Sequence, residues 1–250
     1  QNKRPDNFYV VNDPESMIEG LNRAFQSIQL DQRGGSSSLS LGTASADEEA
    51  MVYQANYVSG AWTGNLYGYT IDAATNRINE TPKWDAESQL PKWNERKVYI
   101  NNGGLKNFRT SGAQLSDLSQ DQVDYLLGDN SKVKENNFRK RTSILGDIVN
   151  SKPVYVGSPR VDAFSLRSFP GTNSYTEWAR NNKRTPVVYV GGNDGMLHGF
   201  DAQSGKELFA YIPATVVANG LTELTEPSYN HRYFVDGEII ASPRYVSEEH

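Results

Sequence analysis

Two stretches far apart in this chain repeat one another, and that repeat limits the folds open to it more than any other feature. "GAWTGNLYGYTIDAATNRI", residues 60–78, aligns with "GGNDGMLHGFDAQSGKEL", residues 191–208. Gly64 falls on Gly195, Leu66 on Leu197, Gly68 on Gly199 and Tyr69 on Phe200. Asp72-Ala73 then falls on Asp201-Ala202 after a shift of two residues. Two residues is one period of a strand, so the shift leaves every side chain on its original face. Each copy reads as a strand, a turn ending in Gly, a second strand, an Asp-Ala-x-Ser/Thr-Gly/Asn turn and a third strand. One supersecondary unit used twice must bury its apolar face against its neighbours.

The rest of the chain has the same texture. Short runs dense in Tyr, Val and Ile are punctuated by Gly, Asn-Gly or Asp-Gly: "AMVYQANYVSG", "NLYGYTI", "KVYINNGG", "KPVYVGS", "PVVYVGG", "MLHGF", "ELFAYIP", "RYFVDG" and "EIIASPRYV". These suit half-buried strands, and the repeat makes them blades of a β-propeller. Residues 33–250 are expected to hold three or four blades, an open arc, because propellers close with 4–8. Ahead of them, "NFYVVNDPESMIEGLNRAFQSI" reads as a strand and a helix. Asp13 is its N-cap and Pro14 its first residue, and Met17, Leu21, Phe25 and Ile28 form one apolar face. Residues 1–32 are therefore read as the tail of an α/β domain plus linker, followed by the Gly/Ser-rich "DQRGGSSSLSLGTASADEEA". One helix interrupts the strands at "LSQDQVDYLLG", with Ser119 and Gln122 as a capping box, Leu118 and Val123 as a staple and Gly128 as C-cap. Both chain ends read as cuts within a longer protein.

Composition removes several classes of chemistry. With no cysteine, disulfides, thiolate metal sites and cysteine nucleophiles are excluded. A net charge of -5 gives no general pull toward nucleic acid or an anionic membrane. The one dense basic run, Arg139-Lys140-Arg141, reads as a solvated surface. No stretch is long and apolar enough for membrane insertion. Gly-x-Ser-x-Gly, His-Glu-x-x-His and a phosphate loop are all missing.

Three blocks carry a more specific signal: "VDYLLGDNSKVKENNFRKRTSILGDIVNSKPVYVG", "TPVVYVGGNDGMLHGFDAQSGKELFAYIP" and "YFVDGEIIASPRYV". Their content and order resemble the PilY/PilC family of type IV pilus-associated proteins. Leu145 to Ser151 and Gly195 to Phe200 are the most diagnostic parts. The blade signature itself is similar to quinoprotein-like β-propellers. The resemblance implies a mainly β fold: a modified, partial quinoprotein-like propeller preceded by the closing strand and helix of a von Willebrand factor A-like α/β domain. It also implies an exported, non-enzymatic adhesin or biogenesis protein at the outer membrane or cell surface. Its partners would be pilus subunits, minor pilins and host-cell surface ligands, with roles in assembly, retraction control and adhesion. Some members carry an EF-hand-like calcium loop. Residues 1–250 contain no such series, so a calcium site is expected only C-terminal to His250.

Two other readings stay open. A dehydrogenase using pyrroloquinoline quinone (PQQ) would need a quinone pocket, calcium and an Asp base. Against it, the vicinal cysteines of many such enzymes are missing, and Phe209 stands where their blades favour a closing Trp. A periplasmic scaffold for outer-membrane assembly would need a lipidated Cys. No residue is assigned as catalytic, cofactor-binding or metal-ligating. Asn193-Asp194-Gly195 reads as a hairpin turn, Asp72 and Asp201 as turn caps, and His198 as a satisfied pleat residue. Trp84, Trp93 and Trp178 are the candidate contact residues, with the long segments 101–140 and 158–184 as candidate interaction surface.

Overall fold

A computed structural model of the chain describes residues 35–42, 50–72, 74–75, 77–101, 103–115, 117–159 and 175–242. The strand and helix expected over residues 8–30, with the von Willebrand factor A-like assignment, lie outside these residues, as does most of the segment 158–184. The architecture is mainly β, in two sheets.

The first sheet is an antiparallel meander of β1 (Gly35–Gly42), β2 (Met51–Val58), β3 (Thr63–Asp72) and β4 (Arg77–Ile78). A short β5 (Trp84–Asp85) also pairs with β3. β1 lies in the stretch that composition marked as linker: a Ser/Gly segment held by its backbone ladder to β2. The second sheet contains the meander β8 (Val154–Val156), β9 (Val187–Gly191), β10 (Leu197–Asp201) and β11 (Glu207–Ile212). Beyond β11 the hairpin of β6 (Val98–Asn101) and β7 (Leu105–Asn107) is added, with β6 parallel to β11. Four-stranded antiparallel meanders are what propeller blades are made of.

The two halves of the sequence repeat occupy the same places in the two meanders. Tyr53 pairs with Gly68 across β2 and β3, as Tyr189 pairs with Gly199 across β9 and β10. Gly68 is in turn opposite Trp84, as Gly199 is opposite Phe209. In both blades the glycine lies under the aromatic ring of the residue paired with it across the sheet. A Cβ on Gly68 would come within 2.2 Å of the Trp84 ring, and one on Gly199 within 2.9 Å of Phe209. The first blade therefore has a closing Trp, Trp84, in the place that Phe209 fills in the second.

The blades pack face to face. Met51, Tyr53, Ala55, Leu66 and Trp84 from the first bury against Val188, Val190, Phe200 and Ala202 from the second. The Trp84 indole is held between Gly68 of its own blade and Gly205, in the turn after β10, where a Cβ would approach it to 2.4 Å. Its Nε1 donates to the Ala202 carbonyl at 3.2 Å, which also accepts from the Tyr53 hydroxyl at 3.2 Å. Asp201 Oδ1 accepts from the Gln203 and Ser204 amides, and Asp72 Oδ1 from those of Ala74 and Thr75, so both aspartates cap their turns.

Within residues 101–140, where the sequence leads to one helix between long loops, the chain contributes two helices to a helical layer. α1 (Phe108–Leu115) and α2 (Gln120–Leu127) join α4 (Ala214–Ala218) and the 3₁₀ helix Leu221–Thr225 over β6 and β11; α3 (Tyr175–Asn181) lies ahead of β9. The core there includes Val98, Ile100, Phe108, Val123, Leu127 and Ile212. The α2 capping box and Gly128 C-cap form as expected. This layer occupies the chain length that counting by blade size assigns to further blades, so the described residues contain two. No described helix is long and apolar enough to cross a membrane.

On the far face of the second blade, Tyr189, Leu197 and Phe209 are half-buried. They stand where Tyr53, Leu66 and Trp84 are covered in the first; Tyr189 meets Phe209 edge-on at 6.1 Å, and Tyr53 meets Trp84 at a tilt of 33° and 5.9 Å. An apolar sheet face of this kind favours association. Phe209→Glu should weaken concentration-dependent association of the chain in sedimentation while the far-ultraviolet circular dichroism stays unchanged.

Candidate functional site

The β2–β3 turn and the β9–β10 turn lie at the same end of the two blades, and the segment Leu145–Ser151 is wedged between them. Gly64 donates to the Leu145 carbonyl at 3.3 Å, and Thr63 bridges Gly146. Gly146 N–H donates to Asp194 Oδ2 at 3.2 Å, and a Cβ on Gly146 would meet the Asp194 amide nitrogen at 2.2 Å. Asn193 holds Asp147 twice, backbone to carbonyl at 3.0 Å and Nδ2 to Oδ2 at 2.8 Å. His231 Nε2 lies 2.7 Å from the same carboxylate oxygen and stacks on Trp62 with a centroid separation of 3.8 Å. Asp236 accepts from the Val149 and Asn150 amides, Ser151 Oγ accepts from Gly191 N–H, and Asn193 Oδ1 accepts from Phe234 N–H. These cross-links explain why "RYFVDG", read as a strand, is not one: its polar groups are bonded to the junction, not to a ladder.

Asn193-Asp194-Gly195 is a hairpin turn, with Gly195 at φ 88°, Gly192 donating to the Met196 carbonyl, and Asp194 Oδ1 accepting from Met196 N–H. Its Asp does more than shape the turn. Asp194 Oδ2 is 3.1 Å from His198 Nε2, whose Nδ1 is 2.9 Å from Glu207 Oε1. Glu207 receives Arg96 through both carboxylate oxygens, each at 2.7 Å, and Arg96 Nη1 donates to the Leu127 carbonyl at 2.9 Å. Arg96, His198 and Glu207 are each no more than 3% exposed. This buried chain ties the turn end of the second blade to helix α2.

Opposing effects set its charges. Burial alone would lower the His198 pKa, but the carboxylates of Asp194 and Glu207 outweigh it and push it up to about 9. Burial likewise pushes Glu207 up, and Arg96 followed by His198 overturns this, to about 2. Asp194 is also held below the usual carboxylate range, burial being outweighed by His198 and the Gly146 N–H. At neutral pH the histidine is a cation between two anions, satisfied on both ring nitrogens and shielded from solutes.

The three candidate tryptophans separate. Trp84 is 5% exposed and lies between the blades, so it is a packing residue and not a contact residue. The Pro- and Lys-rich sequence around it hid the glycine on each side of its ring. Trp93 is half-buried on the helical layer beneath the Arg109 guanidinium, at 5.0 Å. Trp178 is half-buried on α3, against Tyr175 at 5.6 Å. None of the three reaches the blade junction, where Trp62, in a left-handed conformation at φ 53°, is the tryptophan present. Asp147, Asn193, His231 and Asp236 were missed one by one, although the blocks that contain Asp147, Asn193 and Asp236 stood out.

The basic run was also misread. Lys140 is exposed, but Arg139 and Arg141 are half-buried. Each guanidinium lies over a tyrosine ring, Arg139 over Tyr229 at 4.5 Å and Arg141 over Tyr125 at 3.9 Å. Together with Ser143, Asp147, Asp194 and Tyr229 they line a recess of about 20 Å³ at the junction.

Comparison with known proteins bears on the same region. A family model described as the PilY1 beta-propeller domain matches residues 145–246, beginning at the wedge and covering the second blade. A type IV pilus biogenesis factor PilY1 homolog of Xylella fastidiosa (strain Temecula1) is 40% identical over 252 residues, covering 97% of this chain and 20% of its own length. The type IV pilus biogenesis factor PilY1 of Pseudomonas aeruginosa strain PAK is 35% identical over 222 residues, 77% of this chain and 19% of its own length. That of strain UCBPP-PA14 is 30% identical over 279 residues, 98% of this chain and 24% of its own length. The chain thus spans about a fifth of the length of the curated relatives it matches. No solved structure gives a significant match.

Proposed function

This chain belongs to the PilY1 family, and we propose that it is a propeller segment of an exported, pilus-associated protein that acts in type IV pilus biogenesis by binding other proteins rather than by catalysis. One observation carries the binding reading. Among the described residues, the buried ionisable groups His198, Asp194 and Asp147 are locked into the blade junction, whereas the same end of the blades presents exposed Tyr233 and half-buried Trp62, both packed on His231. Aromatic side chains with polar tips are favoured contact residues at protein interfaces. Pilus subunits and minor pilins are the partners this reading names, adhesion to host surfaces and control of retraction its wider roles, and the outer cell surface its place.

The test is retention of pilus subunits by the immobilised chain. Subunits from a sheared pilus fraction should be held by the wild-type chain and several-fold less by Trp62→Ala. Addition of PQQ and calcium should release no heat and change no absorbance. Failure of the natively folded chain to hold any pilus subunit would remove the reading, and quinone uptake with substrate turnover would replace it.

A further inference from the structure

The recess at the blade junction has a guanidinium with an unpaired donor in its wall. Its neighbour Arg141 donates Nε to Asn130 Oδ1 at 3.2 Å and Nη2 to the Tyr125 carbonyl. Arg139 donates its backbone N–H to the Thr225 carbonyl, but its Nη1 is buried without a hydrogen-bond partner among the described residues. Guanidinium cannot shed its proton, and a buried charged donor left unpaired is costly. The two carboxylates in the same wall do not pair with it: Asp147 is engaged by Asn193 and His231, and Asp194 by His198 and the Gly146 N–H. The Arg141 guanidinium registers the crowding: burial, with Arg96 and Arg139 adding to it, lowers its pKa to about 10.

We propose that this recess binds a carboxylate, that of an acidic side chain or a chain end of a protein partner, on Arg139. Three features select the chemistry. Arg139 offers only donors, so its partner must be an acceptor. A volume of about 20 Å³ holds one water-sized group, which suits an oxygen of a small planar head presented to a guanidinium fork. Asp147 and Asp194, already in the same wall, repel a dianion such as phosphate more strongly than a monoanion. That a protein presents the carboxylate rests on the proposed function; the carboxylate chemistry does not.

Thermal midpoints measured in sodium acetate, sodium phosphate and sodium chloride at constant ionic strength test the two parts separately. Acetate should raise the wild-type midpoint saturably over chloride, and more than phosphate does. Arg139→Gln should require at least tenfold more acetate for the same shift, whereas Arg77→Gln, at an exposed arginine, should match wild type. If Arg139→Gln does not fold, Arg139→Lys serves, keeping the charge and losing the fork, with a several-fold weaker response. No acetate response, an equal response in the Arg139 variant, or a stronger response to phosphate each overturns the site. Short peptides then identify the source, one with a free C-terminus and no acidic residue, the other C-terminally amidated with one Glu. Binding of either supports a protein-borne carboxylate; binding of acetate and neither peptide limits the site to small carboxylates and removes the protein partner.

Discussion

Gly68→Val should cost the chain about 3 kcal/mol or more in chemical denaturation, toward the upper end for overpacking a filled core. The Trp84 ring already lies 2.2 Å from where a Cβ at position 68 would be, and it has little room to retreat, because its other side lies against Gly205, where a Cβ would come within 2.4 Å of it. Moving the ring also breaks the Nε1 bond to Ala202. The matched change Gly199→Val should cost less. The Phe209 ring is further away at 2.9 Å and only half-buried, so it has room to swing outward. Pairing Gly68→Val with Trp84→Leu should recover part of the loss by returning volume to the same site, a non-additivity expected only of residues in contact. Equal costs at positions 68 and 199 would mean that the two aromatic rings are equally confined, against the placement of the blades.

Those glycines also show how far the sequence could be read. Gly68 and Gly199 aligned in the repeat, and the strand pattern around them matched β2, β3, β6 and β8–β11. Hydrophobic alternation and turn chemistry are local, so they survive without knowledge of the neighbours. What lay over each glycine was not local: Trp84 is 16 residues beyond Gly68 and belongs to a strand of two residues, too short to leave a pattern. The helical layer was half legible. α2 announced itself by its capping box, but α1, with Gly112 inside and its apolar residues sparse, gave little periodic signal. The junction was the least legible part. Asp147, Asn193, His231 and Asp236 act through pairings that span 41 to 87 residues, and each looks like an ordinary loop residue in isolation. Arg139 and Arg141 were taken for solvent-facing because the run is charged, a rule that fails where tyrosines and carboxylates receive guanidinium groups.

Arg96→Ala should be the second large loss, about 3–5 kcal/mol, because it leaves Glu207 buried and uncompensated. The ion pair has both partners at 0–1% side-chain exposure and two 2.7 Å bonds, so water does not replace the lost guanidinium. Arg96→Met with Glu207→Leu should cost much less than Arg96→Ala alone, since the unpaired charge is removed with its partner; His198 then keeps Asp194 as its counter-ion. The same cluster sets a pH dependence with two limbs. His198 is raised in the folded state to about 9, so its contribution is complete below its ordinary value near 6.5 and is lost as pH rises through 9. Glu207 is depressed to about 2, so its contribution is complete above about 4.5 and is lost as pH falls through 2. From these two groups, stability should be greatest between about pH 4.5 and 6.5 and fall on either side, with the alkaline limb removed in Glu207→Gln combined with Asp194→Asn. Thermal midpoints against pH, with the His198 ring protons followed by nuclear magnetic resonance, measure both limbs. A His198 that titrates near 6.5 would break this account of the cluster.

The central structural claim is that the two halves of the repeat are successive blades packed face to face, with the Asp201–Gly205 turn of the second over Trp84 of the first. A chain without cysteine allows a direct measurement. Lys83, beside Trp84, reaches Gln203 in that turn, Nζ to Oε1 at 3.4 Å. With Lys83→Cys and Gln203→Cys introduced together, a short bismaleimide should bridge the two within one chain, rapidly and in high yield, at dilutions where no bridge forms between chains. The rate should collapse in denaturant. Bridging no faster in the native protein than in the unfolded chain would contradict the packing of the two blades.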